Sequence, residues 1–553
     1  MSNAATIPLH SEISDLGKPF SVWEALGVLL ALRLGFHFLA LRVFAGGLPG
    51  GDEGSWLSVA AELARGHGFT THWLEAHFLT PYTLPRPDDF RYPALTSLLA
   101  MVFRAGFFSL EAARWTVTAV FLAFVSSLYL ICRSTFGRWT AMATLWLTVS
   151  SLFQLEWNSI VYTEGLFGLV LAWLTAWCLR GERTARENTP LGFSTLSWWA
   201  ILGIGVGALY LVRANGILFL PGIVWLYWRR RKQSASSPGL SWRHPAIAIA
   251  GFTLITAPWL IRTGLNFGNP FHVAGSAGIL REVGEPHTLT VVQYLSQYDL
   301  LFPLRHWALG VFRFFKTLHE FEHGMESAPV LLALVAVVLR RPFFSPFLVV
   351  GFLLTFAASA YAACNSWAGI RYMSALVPFI YAYGLSLPAY FAKTRSRFSG
   401  PWMSAGASVL GIALLLLPVV YPHRFYERKF SQNPEGRYAY RWQLADHLAR
   451  LETRLPKGGR YYAASLCKVN FLLEDRDCVG LQELYDPTWF PRSMQAFHPH
   501  LIVLTHAETS QDDMLTAMAR MRSEGYAQDT LESGPLAVYL SLHTTVPTAI
   551  NKP

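Results

Sequence analysis

The residues able to do chemistry in this chain are a few carboxylates and a set of arginines. Asp52 and Glu53 stand side by side in GDEGSWLSVAAELARGHGF, directly after the first apolar stretch, and Glu164 opens another in NSIVYTEGLFGL. Carboxylates grouped in this way suit acid–base work, one taking a proton from a hydroxyl while another orients that hydroxyl or a cation. Arg91 (FRYPAL), Arg213 (VRANG), Arg262 (PWLIRTGLNFGNPF) and Arg371 (GIRYMSALVP) stand at the ends of further apolar stretches. A guanidinium holds phosphate oxygens two at a time, so arginines gathered at one depth point to a shared anion, and a lipid phosphate is the natural candidate. Each residue also has a plainer use. Asp52 can cap a helix over 53–64 with Glu53 in its first turn, Glu164 can open a helix behind Thr163, and any single arginine can snorkel to the headgroups.

Whether these residues share a site depends on the elements that carry them. The 553 residues are 52% hydrophobic and only 14% charged, where a soluble protein carries about a quarter charged. Mean hydropathy is +0.31. Apolar runs recur at close to the roughly 20 residues that cross a bilayer as a helix. The composition therefore predicts an all-α polytopic membrane protein. The net charge of +10 does not point to nucleic acid, because the basic residues fall in short clusters between apolar runs, where they report topology. The first run has no small-residue cleavage site after it, so it reads as an uncleaved span.

The expected spans are 22–45, 112–132, 139–157, 164–180, 196–212, 215–228, 244–262, 326–340, 344–362, 371–391 and 401–421, about eleven in all. The run 94–108 is short for a crossing and contains Arg104. Leaving it out as a span gathers Arg133/Arg138, Arg180/Arg183/Arg186, Arg229–Lys232, Arg340/Arg341 and Lys393/Arg395/Arg397 on one side, as the positive-inside rule requires. Residues 1–21 are then cytoplasmic and 22–421 form the transmembrane catalytic domain. The loops 46–111 and 263–325 face outward, as does everything after 422. All the candidate site residues then lie on the outer face, at the plasma or inner membrane of the cell.

The tail changes character. Helix-like stretches (438–454, 511–524) alternate with short apolar strands (461–464, 501–504, 536–540), which predicts a small extracytoplasmic α/β accessory domain. Cys467 and Cys478 are its two cysteines, and an oxidising compartment would allow them to pair. Three further features carry less. His319-Glu320-Phe321-Glu322-His323 matches the H-E-x-x-H metalloprotease pattern, but no third ligand motif follows it. Gly203, Gly205 and Gly207 lie inside a span, where close helix packing explains them. His67, His72 and His77 are irregularly spaced for a metal. No metal is assigned.

In order along the chain, the Asp-Glu pair after the first span, the A-x-x-L-x-x-G-like helix at 61–68, RYP at 91–93, YTE at 162–164, Arg213 before Asn-Gly, PW-x-x-R at 258–262 and RY-x-x-x-x-x-P at 371–378 resemble the membrane glycosyltransferases of the GT-C superfamily. The likeness is to the protein O-mannosyltransferase and aminoarabinose-transferase branch, and it covers residues 22–395. It implies an inverting transfer of a hexosyl or pentosyl group from a polyprenyl-phosphate carrier to an acceptor hydroxyl on a protein, lipid or glycan. By that likeness Asp52 is the general base, and Glu53 and Glu164 order the site. Arg262 and Arg371, with Arg91 and Arg213, hold the donor phosphate, while Tyr92, Tyr162, Asn266 and Tyr372 line the substrate pocket. No cofactor is required; a divalent cation is compatible with this reading but not indicated by it. The chain departs from many relatives in reading Tyr-Pro-Ala at 92–94. The rival class is a transporter or flippase for a lipid-linked sugar, for which repeats and interrupted helices in matching halves would speak; the sequence shows neither.

Overall fold

The computed structural model describes residues 19–44, 52–74, 84–88, 91–187, 195–233, 241–271, 301–322, 327–339, 344–365 and 371–394, with shorter pieces of the tail between 448 and 542. The apolar first run folds as α1 (Val22–Phe44). After it comes α2 (Glu53–Arg65), ended by Gly66 in the left-handed conformation at φ 94°, which glycine adopts without strain. The short run follows as α3 (Pro93–Arg104), opened by a proline in its first turn. Its 12 residues make a rod about 18 Å long, well short of the roughly 30 Å hydrocarbon core. Arg104 at its end donates to the Leu63 and Ala64 carbonyls at 3.1 Å, capping the last turn of α2.

The main bundle is built from α4 (Leu110–Phe136), α5 (Arg138–Ser150), α6 (Leu152–Asn158), α7 (Glu164–Glu187), α8 (Thr195–Val212), α9 (Leu220–Gln233), α10 (Arg243–Phe267), α11 (Phe302–Glu322), α12 (Ser327–Val338), α13 (Pro346–Asn365) and α14 (Val377–Thr394). Among the described residues, α1, α4, α8 and α10 are long and apolar enough to cross a membrane. The run 139–157 is two helices rather than one. They break at Ser151, whose hydroxyl accepts the Gln154 N–H at 3.1 Å, a local bond that competes with a continuous helix. The stretch 263–325, expected as an outer loop, contains α11, which packs Phe314 against Phe356 and His306 against Tyr361 on α13. The HEFEH pattern begins on α11, and its second histidine, His323, lies outside the described residues. The expected span 401–421 lies outside them too.

The glycine run does the packing work expected of it. A methyl group on Gly203 would run into the Ala248 carbonyl, and one on Gly207 into Ile255 and Phe252, so glycine lets the backbones of α8 and α10 approach closely.

The tail contributes β4 (Arg460–Ala463), β5 (Asp477–Gly480), β6 (Leu501–Thr505), β7 (Tyr526–Gln528) and β8 (Ala537–Leu542). The sheet gains a sixth strand from the first loop, which carries β1 (Thr70–Thr71), β2 (Trp73–Leu74) and β3 (Arg86–Pro87). The order is β2-β5-β4-β6-β8-β7, parallel from β2 through β6 and antiparallel beyond it. An edge strand from the loop beside Asp52 thus ties the tail to that loop. Cys478 is disulfide-bonded, and Cys467 lies outside the described residues.

Candidate active site at one end of the helix bundle

Asp52 immediately precedes α2, where a cap is expected, but its side chain makes no cap hydrogen bond. It turns instead to Arg371, whose Nη2 donates to Asp52 Oδ2 at 2.6 Å. Arg91 Nη2 approaches the other oxygen at 4.0 Å. Burial pushes the Asp52 carboxyl up, but the charges of Arg371, Arg91 and Arg213 outweigh it and bring the carboxyl down to about 2. Asp52 is therefore ionised across the physiological range, and its side chain keeps 22% exposure where Glu53 and Glu164 keep 0% and 2%. Of the three acids it is the one a substrate can reach.

Glu164, the first residue of α7, shares the same cations. Its Oε1 accepts Arg213 Nη1 at 3.0 Å and stands 3.8 Å from Arg371 Nε. Its Oε2 is buried without a hydrogen-bond partner among the described residues, as is Arg371 Nε. Aromatic rings fix the planes of both guanidinium groups. Arg371 lies over Tyr162 at 4.6 Å and Tyr372 at 5.6 Å, and Arg213 lies over Tyr372 at 3.9 Å. Arg371 belongs to the tight turns at 371–376, just before α14, so the helix expected from 371 starts six residues later. From that turn the guanidinium reaches across to both acids.

Arg91 is held from three directions. Its Nε donates to Ser55 Oγ at 2.6 Å, with Nη2 on the same oxygen, its own N–H bonds Asp88 at 2.7 Å, and Trp56 lies 5.3 Å beneath it. Tyr92 packs edge-on against Tyr210 and beside Trp259.

Glu53 has a different neighbourhood from the acid next to it. Arg114 near the start of α4 grips it with two bonds of 2.9 and 2.8 Å, and the Val161 N–H adds a third at 3.0 Å. This clamp joins α2, α4 and the turn before α7, and so sets the distance between Asp52 and Glu164. Arg114 escaped the sequence reading, although a charge three residues into an apolar run is a usable signal. Arg262 and Asn266 stand apart from the Asp52 cluster. Arg262 donates to the Phe69 carbonyl at 2.7 Å and lies 4.8 Å over Trp259, while exposed Asn266 bonds the Arg262 carbonyl at 2.8 Å.

A second ionic group joins this loop to the tail. His72 Nδ1 meets Asp477 at 2.8 Å, and its Nε2 lies 3.4 Å from Glu62, which also holds Arg65 at 2.6 Å and His67 at 2.8 Å. Burial pulls the His72 ring down, but bonds to Asp477 and Glu62 prevail and raise it to about 9. His77 lies outside the described residues, and among those described no group of three His, Cys, Asp or Glu side chains is placed to hold a metal.

No protein-family model and no curated protein sequence matches the chain. Solved structures do. The crystal structure of ArnT from Cupriavidus metallidurans bound to undecaprenyl phosphate superposes with a TM-score of 0.54 at 14% identity, covering 94% of this chain and 98% of that one. The archaeal oligosaccharyltransferase AglB from Archaeoglobus fulgidus, in complex with an inhibitory peptide and a dolichol-phosphate, superposes at 0.56 and 12% identity, covering 95% of this chain and 75% of that one. The fold of this chain is the one these two structures share.

Proposed function

We propose that the chain is an inverting glycosyltransferase that moves a sugar from a polyprenyl-phosphate carrier to an acceptor hydroxyl at the extracytoplasmic face of the membrane. The observation that carries this reading is the cluster in which Arg371, Arg213 and Arg91 surround one reachable carboxylate, Asp52, at a single end of a GT-C bundle. The similar structures bind undecaprenyl phosphate and dolichol-phosphate, and Arg371 keeps an Nε without a hydrogen bond among the described residues, which one more anion can take.

The chemistry follows from the charges. The acceptor oxygen forms a bond to the anomeric carbon as the bond from that carbon to the phosphate oxygen breaks on the opposite side, which inverts the configuration. The acceptor proton passes to Asp52. The electron pair leaves on the carrier phosphate, where Arg371, Arg213 and Arg91 stabilise the growing negative charge in a site with little water. Glu164 keeps Arg213 and Arg371 in position, and Glu53 keeps Asp52 in position through Arg114. Tyr162 and Tyr372 wall the same space. Arg262, docked on the Phe69 carbonyl, is the further cation of this face that helps to hold the donor phosphate. The tail, with its disulfide-bonded Cys478, lies outside the membrane as an accessory domain, and the N-terminus is cytoplasmic.

The test is a mass-spectrometric comparison of envelope glycans and lipids from cells with the chain, without it, and with Asp52→Asn. Losing a general base typically lowers the rate about 10²–10⁴-fold, so the glycoform that needs the chain should vanish in Asp52→Asn cells. Full product from that variant, present at normal level in the membrane, would refute the assignment.

A further inference from the structure

The same geometry that marks Asp52 as the reacting carboxylate makes it a weak base in this state. A carboxylate held near pKa 2 has little tendency to take a hydroxyl proton, because efficiency rises as the base approaches the working pH. The cause is one contact above all others, the 2.6 Å bond from Arg371. Yet Arg371 is not committed to Asp52 as Arg114 is to Glu53. Only Nη2 meets Asp52 closely; Nε faces Glu164 at 3.8 Å and has no hydrogen bond among the described residues. Glu164 in turn has one oxygen on Arg213 and a second, buried oxygen without a partner.

We propose that Arg371 is an exchangeable cation, held by Asp52 while the donor is absent and taken by the donor phosphate when it binds, so that donor binding frees Asp52 to act on the acceptor. This rests on the glycosyltransferase reading above. A phosphate offers several oxygens and more charge than a carboxylate, and the guanidinium fork pairs with it bidentately. The rings of Tyr162 and Tyr372 flank Arg371 on its way, so it can change partner while keeping its aromatic support. Losing an arginine neighbour commonly raises a carboxylate by about 1–3 pH units, which restores Asp52 as a base only in the loaded enzyme. The consequence is an order of events: donor first, then proton transfer from the acceptor. The acceptor hydroxyl is not activated in the empty site.

The exchange can be read without knowing the sugar or the acceptor. The probe is undecaprenyl phosphate itself, which has no sugar to transfer, titrated into the full chain in lipid nanodiscs. If Asp52 competes for Arg371, Asp52→Asn binds the lipid phosphate more tightly than the parent chain, by about tenfold for a lost bond to a charged group. Arg371→Ala binds more weakly, and Asp52→Asn combined with Arg371→Ala is no tighter than Arg371→Ala alone, since the gain acts through that arginine. Asp52→Ser, checked for its unfolding temperature, should repeat the gain and guards against a peculiarity of one variant. A damaged fold cannot produce tighter binding. Equal or weaker binding by both Asp52 variants, with saturable binding by the parent chain, overturns the exchange and leaves the functional reading standing. An absence of saturable binding by the parent chain overturns both.

Discussion

Helix α4 carries an arginine near each end that closes on a buried acid, Arg133 on Glu24 of α1 and Arg114 on Glu53 of α2, and the two ends differ in one respect. At one end Glu24 is closed: Arg133 reaches its oxygens at 2.6 and 3.4 Å, Tyr129 donates at 2.5 Å, and Phe20 covers the guanidinium at 4.4 Å. At the other end, about 28 Å along α4 from Arg133 to Arg114 at 1.5 Å per residue, Glu53 and Arg114 are closed in the same way. Beside them, however, lies the open group: Asp52 and Glu164 share Arg371, Arg213 and Arg91, and Glu164 keeps an oxygen without a hydrogen-bond partner among the described residues. A closed pair has its charge balanced and its bonds made, so it fixes helices and offers a ligand nothing. The open group keeps a guanidinium nitrogen, Arg371 Nε, without a hydrogen bond among the described residues, and such a cation in a low-dielectric setting attracts an anion strongly. Buried charge alone therefore does not mark a site; uneven sharing of it does.

The largest effect should come from breaking a closed pair. Arg114→Ala leaves Glu53 buried without its cation, which typically destabilises by about 3–5 kcal/mol, and Arg133→Ala does the same to Glu24. Arg371→Ala should destabilise much less, because Arg91 and Arg213 remain near the two acids, while its donor KM rises steeply. Unfolding in detergent, set beside donor titration, separates the two classes. Should Arg371→Ala unfold the chain as readily as Arg114→Ala, the distinction between open and closed groups fails.

A smaller, pH-dependent effect belongs to the tail contact. His72 is raised to about 9 in the fold from about 6.5 when unfolded. Its attraction to Asp477 and Glu62 is thus complete below about pH 6.5 and is lost as the pH climbs through 9. The Cys478 N–H, which bonds the His72 carbonyl at 2.8 Å, should lose hydrogen-exchange protection over that range relative to the amides of β6. In His72→Gln that relative change should disappear. A protection ratio independent of pH in the parent chain would show that β2 alone holds the tail.

Much of this was legible in the sequence because apolar length and charge are long-range signals. The order of the motifs gave the fold that the solved structures share. The side of the membrane assigned from basic clusters put Asp52 and Glu164 together, and in the structure they meet on Arg371. What the sequence could not reveal was partnership. Asp52 and Glu53 are neighbours in the chain, yet a helix sends successive side chains about 100° apart, so one faces the arginine cluster and the other Arg114. Arg262 shows the same limit, since its motif matched while its guanidinium settled on Phe69 and Trp259. The edge strand β2 was hidden for another reason. Two residues, Trp73 and Leu74, carry no period, and only the tail sheet makes a strand of them.

The central claim is that the open group is the seat of the donor phosphate. A structure of the chain with undecaprenyl phosphate bound in a nanodisc tests it most directly. The account predicts the phosphate within about 3 Å of the Arg371 guanidinium, with Arg371 withdrawn from Asp52 and the Glu53–Arg114 and Glu24–Arg133 pairs unchanged. A phosphate seated elsewhere, with Arg371 still bonded to Asp52, would contradict it.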